Sequence, residues 1–152
     1  MRCTFCSIVA GDSPAQYVHE TDGAVAFMDL LPMTPGHCLI VPKRHVVDLL
    51  DIDDETISAV ATAAREMARI VKETLRPAGL NLLHNTGAAA DQSQFHFHAH
   101  LIPRYGGDRL LHPWERRFGD PVEIRAVAEQ LRSGHTDEKQ AHLEQRTLDS
   151  GR

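Results

Sequence analysis

The feature that most constrains this chain is the run Phe95-His96-Phe97-His98-Ala99-His100-Leu101-Ile102, in which histidine alternates with apolar residues. Side chains of a strand point to opposite faces in turn. A strand over 95–102 therefore puts His96, His98 and His100 on one face and Phe95, Phe97, Ala99 and Leu101 on the other. The apolar face asks for a core, and the histidine face then belongs to a polar site. Same-face residues lie about 7 Å apart at the strand rise, so the histidines can serve one site without stacking on each other. A solvated surface stripe is the bland alternative, and strict alternation beside an apolar face speaks against it.

A strand needs partners, and the chain supplies them. Gln16–Glu20 and Ala24–Asp29 read as strands joined by the turn Thr21-Asp22-Gly23. Leu39-Ile40-Val41 is a buried strand that stops at Pro42, and Leu80–His84 is another. Phe5–Ala10 reads as a brief helix closed by Gly11. Ile57, Val60, Ala64, Met67, Val71 and Leu75 recur every three or four residues, which predicts one long helix over 53–76, capped by Asp53 or Asp54 and ended by Pro77 and Gly79. Asp120-Pro-Val-Glu123 is a good helix start, with Ile124, Val127 and Leu131 on one face. The expected fold class is α+β: an antiparallel sheet of about five strands, one long helix and a C-terminal helix. The domain is expected over 1–132, followed by a polar, mobile tail over 133–152. There is no G-x-G-x-x-G or Walker loop and no regular β-α alternation.

The formal net charge of -5 gives no basis for a duplex nucleic acid partner, which needs clustered lysine and arginine. It leaves room for a local anion site built from backbone N–H groups. No stretch has the apolar length of a membrane span, and no apolar segment of signal-peptide length follows Met1. A cytoplasmic location is expected. The three cysteines, Cys3, Cys6 and Cys38, then point away from a disulfide framework and toward metal or redox chemistry for Cys3 and Cys6. Cys38 falls in a strand, where a free cysteine behaves as a small hydrophobe.

The histidine run supports two chemistries. Imidazole is a common metal ligand, but three histidines at alternate strand positions span too far to converge on one ion. Alternatively, a neutral ring nitrogen attacks phosphorus to give a phosphoimidazole, with neighbouring groups positioning and protonating the leaving group.

The segment His96-Phe-His98-Ala-His100-Leu-Ile102 resembles the H-φ-H-φ-H-φ-φ signature of the histidine triad (HIT) superfamily, with the small Ala99 at a φ position. Phe5-Cys6-Ser-Ile8-Val-Ala-Gly11, Ala26-Phe27-Met-Asp29, Pro35-Gly-His37-Cys-Leu-Ile-Val-Pro42-Lys and Leu80-Asn81 through Asn85 are similar to that family's successive blocks, in the same order. Coverage runs from about Cys3 to about Arg104. The resemblance implies that His98 is the nucleophile and that His100 and His37 lie beside the phosphate. It places Asn85, Gln92 and Ser93 near the scissile phosphate and Asp29 on the ribose hydroxyls. Ile8, Phe27 and Leu30 resemble the apolar wall around the base, with ordinary core packing as the competing reading. Asp29 could equally cap the following loop. Asp91 stands where many members have glycine before the Gln-Ser pair.

The same resemblance implies a metal. Some bacterial members hold a structural zinc with a Cys-x-x-Cys pair, the Pro-Lys-x-His block and the first triad histidine. Here these match Cys3, Cys6, His45 and His96, a set suited to a closed tetrahedral site. A pair of free thiols is the alternative. No organic cofactor is expected.

The implied function is hydrolysis at a nucleotide α-phosphate through a nucleotidyl-His98 intermediate. Purine nucleoside 5′-phosphoramidates, conjugates of AMP or GMP, come first as substrates. A dinucleoside polyphosphate hydrolase or phosphorylase is the alternative, and a nucleotide-binding module with little turnover is the rival of another class. A homodimer with the long helices at its interface is also implied. Trp114 and the Arg116-Arg117 pair stand as either a core anchor with a solvated turn or a contact to the site, the former preferred.

Overall fold

The computed structural model describes residues 3–108, 110, 120–122, 126 and 127. It divides into two compact units, Met1–Leu110 and Leu111–Arg152. In the first, α1 (Thr4–Val9) leads into β1 (Tyr17–Glu20), β2 (Ala24–Met28) and β3 (Cys38–Pro42). The long helix α2 (Asp54–Leu75) follows, then β4 (Gly79–Leu83), a 3₁₀ turn (Ala88–Ala90) and β5 (Ala99–Arg104). The sheet is antiparallel throughout, in the order β1-β2-β3-β5-β4.

Both faces of the sheet's centre are buried, and alternation sorts the residues between them. Ala24, Ala26, Cys38, Ile40, Ala99 and Leu101 pack with Val60, Ala64, Met67 and Val71 of α2. Val25, Phe27, Leu39 and Val41 point the other way and pack with Phe5 and Ile8 of α1. Cys38 is fully buried among apolar groups, which pushes its thiol pKa up to about 11.

α2 starts where Asp53 Oδ1 accepts the Thr56 N–H at 2.8 Å. Its end differs from expectation in detail. Arg76, at φ 50°, takes the left-handed position usually given to glycine. Pro77 disfavours right-handed helical geometry at the residue before it, and Lys72 Nζ closes the end by donating to the Pro77 carbonyl at 2.7 Å.

The histidine strand is shorter than its alternation predicts. β5 begins at Ala99, so His100 alone of the three lies in the ladder. The β3–β5 register pairs Ile40 with Ala99, and continuing it would set Phe97 against Pro42, which has no N–H to donate. The backbone bonds there go elsewhere: the Phe97 N–H donates to the Val46 carbonyl at 2.7 Å. Phe97 still reaches the α2 core, whereas Phe95, expected on the same face, is 55% exposed.

In the second unit Pro121, Val122, Ala126 and Val127 are helical. Asp120 Oδ1 accepts the Val122 N–H at 2.8 Å, as a cap does. Trp114, Arg116, Arg117, Ile124, Leu131 and the 133–152 tail lie outside the described residues. Among the described residues no helix is long and apolar enough to cross a membrane.

Candidate active site and metal cluster

The three histidines separate into two sites. His96 turns toward the start of α1, and His98 and His100 line a cleft on the α1 side of the sheet.

At the first site, the ligand atoms of Cys3, Cys6, His45 and His96 all lie within 4.8 Å of one another. Cys3 Sγ and Cys6 Sγ are 3.5 and 3.6 Å from His96 Nδ1. Cys6 Sγ is 3.2 Å from His45 Nδ1, and the two Nδ1 atoms are 3.3 Å apart. Tetrahedral zinc, with ordinary Zn–S and Zn–N bonds, needs edges of about 3.6 Å from sulfur to nitrogen and about 3.3 Å between nitrogens. The donor set and its spacing fit. The proton on His96 agrees: its Nε2–H donates to the Pro42 carbonyl at 3.0 Å, which leaves the Nδ1 lone pair turned toward the thiols. Burial lowers the His96 pKa and favours the neutral ring that a metal requires.

At the second site the cleft is walled by Thr4, Phe5 and Ile8 of α1, by Pro14 and Ala15, and by Phe27 to Leu31, with Ser93, Gln94, His98 and His100 around its floor and rim. Phe5 connects the two sites: its ring meets His96, His98 and Phe27 edge-on, with centroids 6.0, 5.2 and 5.5 Å away.

His98 is 4% exposed. Its Nδ1–H donates to the His96 carbonyl at 2.8 Å, so the neutral ring presents its lone pair at Nε2. Burial lowers its pKa and keeps that lone pair free of a proton near neutrality. His84 supports the backbone from behind. Its Nδ1–H donates to the His98 carbonyl at 2.8 Å, its Nε2 accepts from the Thr86 hydroxyl at 3.0 Å, and its ring stacks on Phe97.

His37 and His100 meet beside Asp29. His37 Nε2 lies 3.0 Å from His100 Nδ1 and 3.4 Å from Asp29 Oδ2. Asp29 does cap its loop, since Oδ1 accepts the Leu31 N–H at 2.9 Å, while it also lines the cleft. Burial lowers the pKa of both histidines, that of His100 to about 4.

Among the residues expected from the sequence, Ile8, Phe27, Asp29, Leu30, Ser93, His98 and His100 line this cleft, Leu30 at its rim and 90% exposed. His37 is buried behind His100. Asn85 is half-buried just past β4 and outside the lining. Gln92 is turned inward. Its Oε1 accepts the Gly87 N–H at 2.7 Å and its Nε2 donates to the Val47 and Gln94 carbonyls. That side chain braces the loop, and Ser93 is its neighbour at the cleft. Sequence reasoning missed Phe5 and His84 as site residues. Phe5 was discoverable as the neighbour of Cys6, because metal spacing there draws the helix onto the histidine segment.

An α+β domain with a five-stranded antiparallel sheet and a buried, lone-pair-bearing histidine in a cleft has the architecture of the histidine triad class. A family model described as the HIT domain matches residues 10–107. The chain is 37% identical over 133 residues to the Bacillus subtilis relative named "Protein hit", covering 86% of this chain and 92% of the relative. It is 33% identical to a Schizosaccharomyces pombe relative named adenosine 5′-monophosphoramidase hnt1, covering 88% of this chain and 98% of that one. Among solved structures, a HIT family member from Bacillus subtilis superposes with TM-score 0.81 at 33% identity, covering 90% and 99% of the two chains. A zinc-bound histidine triad family protein from Mycobacterium smegmatis does so with TM-score 0.70 at 40% identity, covering 89% and 99%. The chain belongs to the HIT family, whose members bind nucleotides and include hydrolases and transferases.

Proposed function

We propose that this protein hydrolyses nucleotide conjugates at the α-phosphate, with purine nucleoside 5′-phosphoramidates as its substrates. One observation carries the reading: the His96 carbonyl holds the His98 proton on Nδ1, so Nε2 is a neutral nucleophile at the wall of the cleft. Its lone pair attacks phosphorus. The bond to the amine breaks, the amine keeps the electron pair and takes a proton from solvent, and a nucleotidyl-His98 remains. Water then attacks the same phosphorus, releasing the nucleoside monophosphate and returning the lone pair to His98. Asp29 would accept ribose hydroxyls through the carboxylate oxygen not held by Leu31. Phe27, Ile8 and Leu30 would form the apolar wall against the base. Ser93 would donate to a phosphate oxygen. The S. pombe relative's printed activity favours the phosphoramidate over a dinucleoside polyphosphate.

Zinc is the metal proposed for Cys3, Cys6, His45 and His96. When bound it supplies structure only, tying α1 to the segment that carries His98. A cytoplasmic homodimer is proposed as the working state.

The test is AMP release from adenosine 5′-phosphoramidate and from diadenosine tetraphosphate, by the wild type and by His98→Ala. The reading requires faster cleavage of the phosphoramidate and its loss in the variant. Faster cleavage of diadenosine tetraphosphate would move the substrate to the polyphosphates. Equal activity of the variant would overturn the mechanism.

A further inference from the structure

His98 lies one residue outside the strand that should hold it, since β5 begins at Ala99. The β3 ladder stops at the Ile40–Ala99 pair, and the β4 ladder stops at Leu83–His100. Continuing the β4 register would set Asn85 opposite His98. The chain instead leaves the sheet after Leu83 to form the loop that Gln92 braces. The nucleophile proposed above therefore needs anchors other than the ladder. One is the peptide between His96 and Phe97. Its N–H donates to the Val46 carbonyl at 2.7 Å, and its carbonyl accepts the His98 ring proton at 2.8 Å. The peptide after His98 is anchored by a side chain. His84, the first residue beyond β4, turns its ring back and donates Nδ1–H to the His98 carbonyl at 2.8 Å.

From this arrangement we infer that His84 is a positioning residue for the reaction: its ring replaces the missing rung and holds the His98 main chain, so that His98 Nε2 keeps its aim at phosphorus. The ring is fixed on three sides. A carbonyl only accepts, so the hydrogen of neutral His84 sits on Nδ1 and its Nε2 is an acceptor. The Thr86 hydroxyl donates to that Nε2 at 3.0 Å and accepts the Leu49 N–H at 3.4 Å. Phe97 covers a face of the ring, with centroids 4.0 Å apart and planes 21° apart. Phe97 is itself buried against α2, so the core of the long helix sets the plane of the His84 ring.

His84 lies outside the cleft lining, and its ring centroid stands 6.3 Å from that of His98. It acts on the nucleophile through the backbone and does not touch the substrate. Attack on phosphorus is sensitive to such placement, because a nitrogen displaced by about an ångström loses its alignment with the bond that breaks.

Two substitutions separate the contacts of His84. Asparagine carries its amide nitrogen at the same number of bonds from Cα as Nδ1, so it can donate but cannot stack. Phenylalanine can stack but cannot donate. Each loses one contact, and both variants should melt below the wild type. The rates should part them. In His84→Phe, kcat for adenosine 5′-phosphoramidate should fall roughly tenfold with KM little changed, and His84→Asn should recover most of it. A rate that followed the melting temperature in both variants would reduce His84 to a structural role and overturn the inference.

The consequence in rate rests on His98 as the nucleophile, but the contact is read without turnover. Long-range ¹H–¹⁵N correlation of the histidine rings in the full chain should show Nδ1–H on His84 of the wild type. The His98 Nδ1–H should exchange slowly with solvent in the wild type and in His84→Asn, and rapidly in His84→Phe. Nε2–H on wild-type His84 would contradict the inference whatever the activity. So would an unchanged His98 signal in His84→Phe, or a kcat in His84→Asn as low as in His84→Phe. Failure of His98→Ala to abolish turnover would instead remove the chemistry, and the ring signals would still decide the contact.

Discussion

Two side-chain clusters flank the histidine segment, and by residue type they are alike. Each gathers histidines with anionic or thiol neighbours, and each brings its ligand atoms within 4.8 Å. They differ in where the backbone puts the proton. At Cys3, Cys6, His45 and His96, the Pro42 carbonyl takes the proton outward and leaves a lone pair inside. At Asp29, His37 and His100, the Met33 N–H takes the lone pair outward and leaves a proton inside. The first arrangement suits a cation, and the second, with its proton already shared by His100 and Asp29, does not. One carbonyl and one N–H thus separate a donor set that fits a metal from one that does not.

The largest effect that sharpens this contrast comes from cutting the metal cluster. Cys6→Ala should abolish bound zinc, measured as metal per chain. Stability should fall by roughly 4 kcal/mol under conditions where zinc stands a thousandfold above its dissociation constant. Asp29→Asn should leave one zinc per chain and change the melting temperature little. Metal loss in the second variant would break the comparison.

Next in size is the response of stability to pH in zinc-free protein. Burial lowers the pKa of His37, His98 and His100 from the ordinary 6.5, that of His100 to about 4. Above 6.5 neither the folded nor the unfolded chain holds these protons, so their contribution is constant. Below it the unfolded chain takes up protons that the folded chain refuses, and stability falls progressively until about pH 4. Denaturant midpoints taken from pH 7.5 to 4.5 should decline, with the slope reduced in His100→Gln. A flat profile would mean that these rings are not held neutral.

Gly36→Ala should cost roughly 1–3 kcal/mol, from the positive φ and the crowding against Leu75, and should lower kcat with zinc content unchanged. The smallest effect is expected from Thr86→Val. It removes the hydroxyl donated to His84 Nε2 and should cost about 1 kcal/mol with a modest loss of rate. A loss of zinc in either variant would mean that the clusters are coupled more tightly than their hydrogen bonds imply.

Much of the fold was legible because burial patterns repeat along the chain. The three-and-four spacing of Val60, Ala64, Met67 and Val71 located α2, and the strand runs fell within a residue or two of β1 to β4. The gathering of Cys3, Cys6, His45 and His96 was legible from the spacing of Cys3 and Cys6 and from the resemblance to the family. What the alternation in 95–102 could not show is that Pro42 ends the β3–β5 ladder, because that depends on register between strands far apart in sequence. Gln92 misled for a related reason. Its neighbour Ser93 reaches the cleft, but the carbonyls that claim the Gln92 amide, those of Val47 and Gln94, become its partners only once the loop is folded. Tautomers lie deeper still: the ring protons of His37, His84 and His96 are placed by the main-chain atoms of Met33, His98 and Pro42, which almost any residue type would supply.

The most direct test is the intact mass of protein quenched during turnover of adenosine 5′-phosphoramidate, followed by peptide mapping. The account predicts a gain of one adenylyl group on an acid-labile bond to His98, absent from His98→Ala. Turnover without any adduct in a quench fast enough to catch it, or an adduct on another residue, would contradict it.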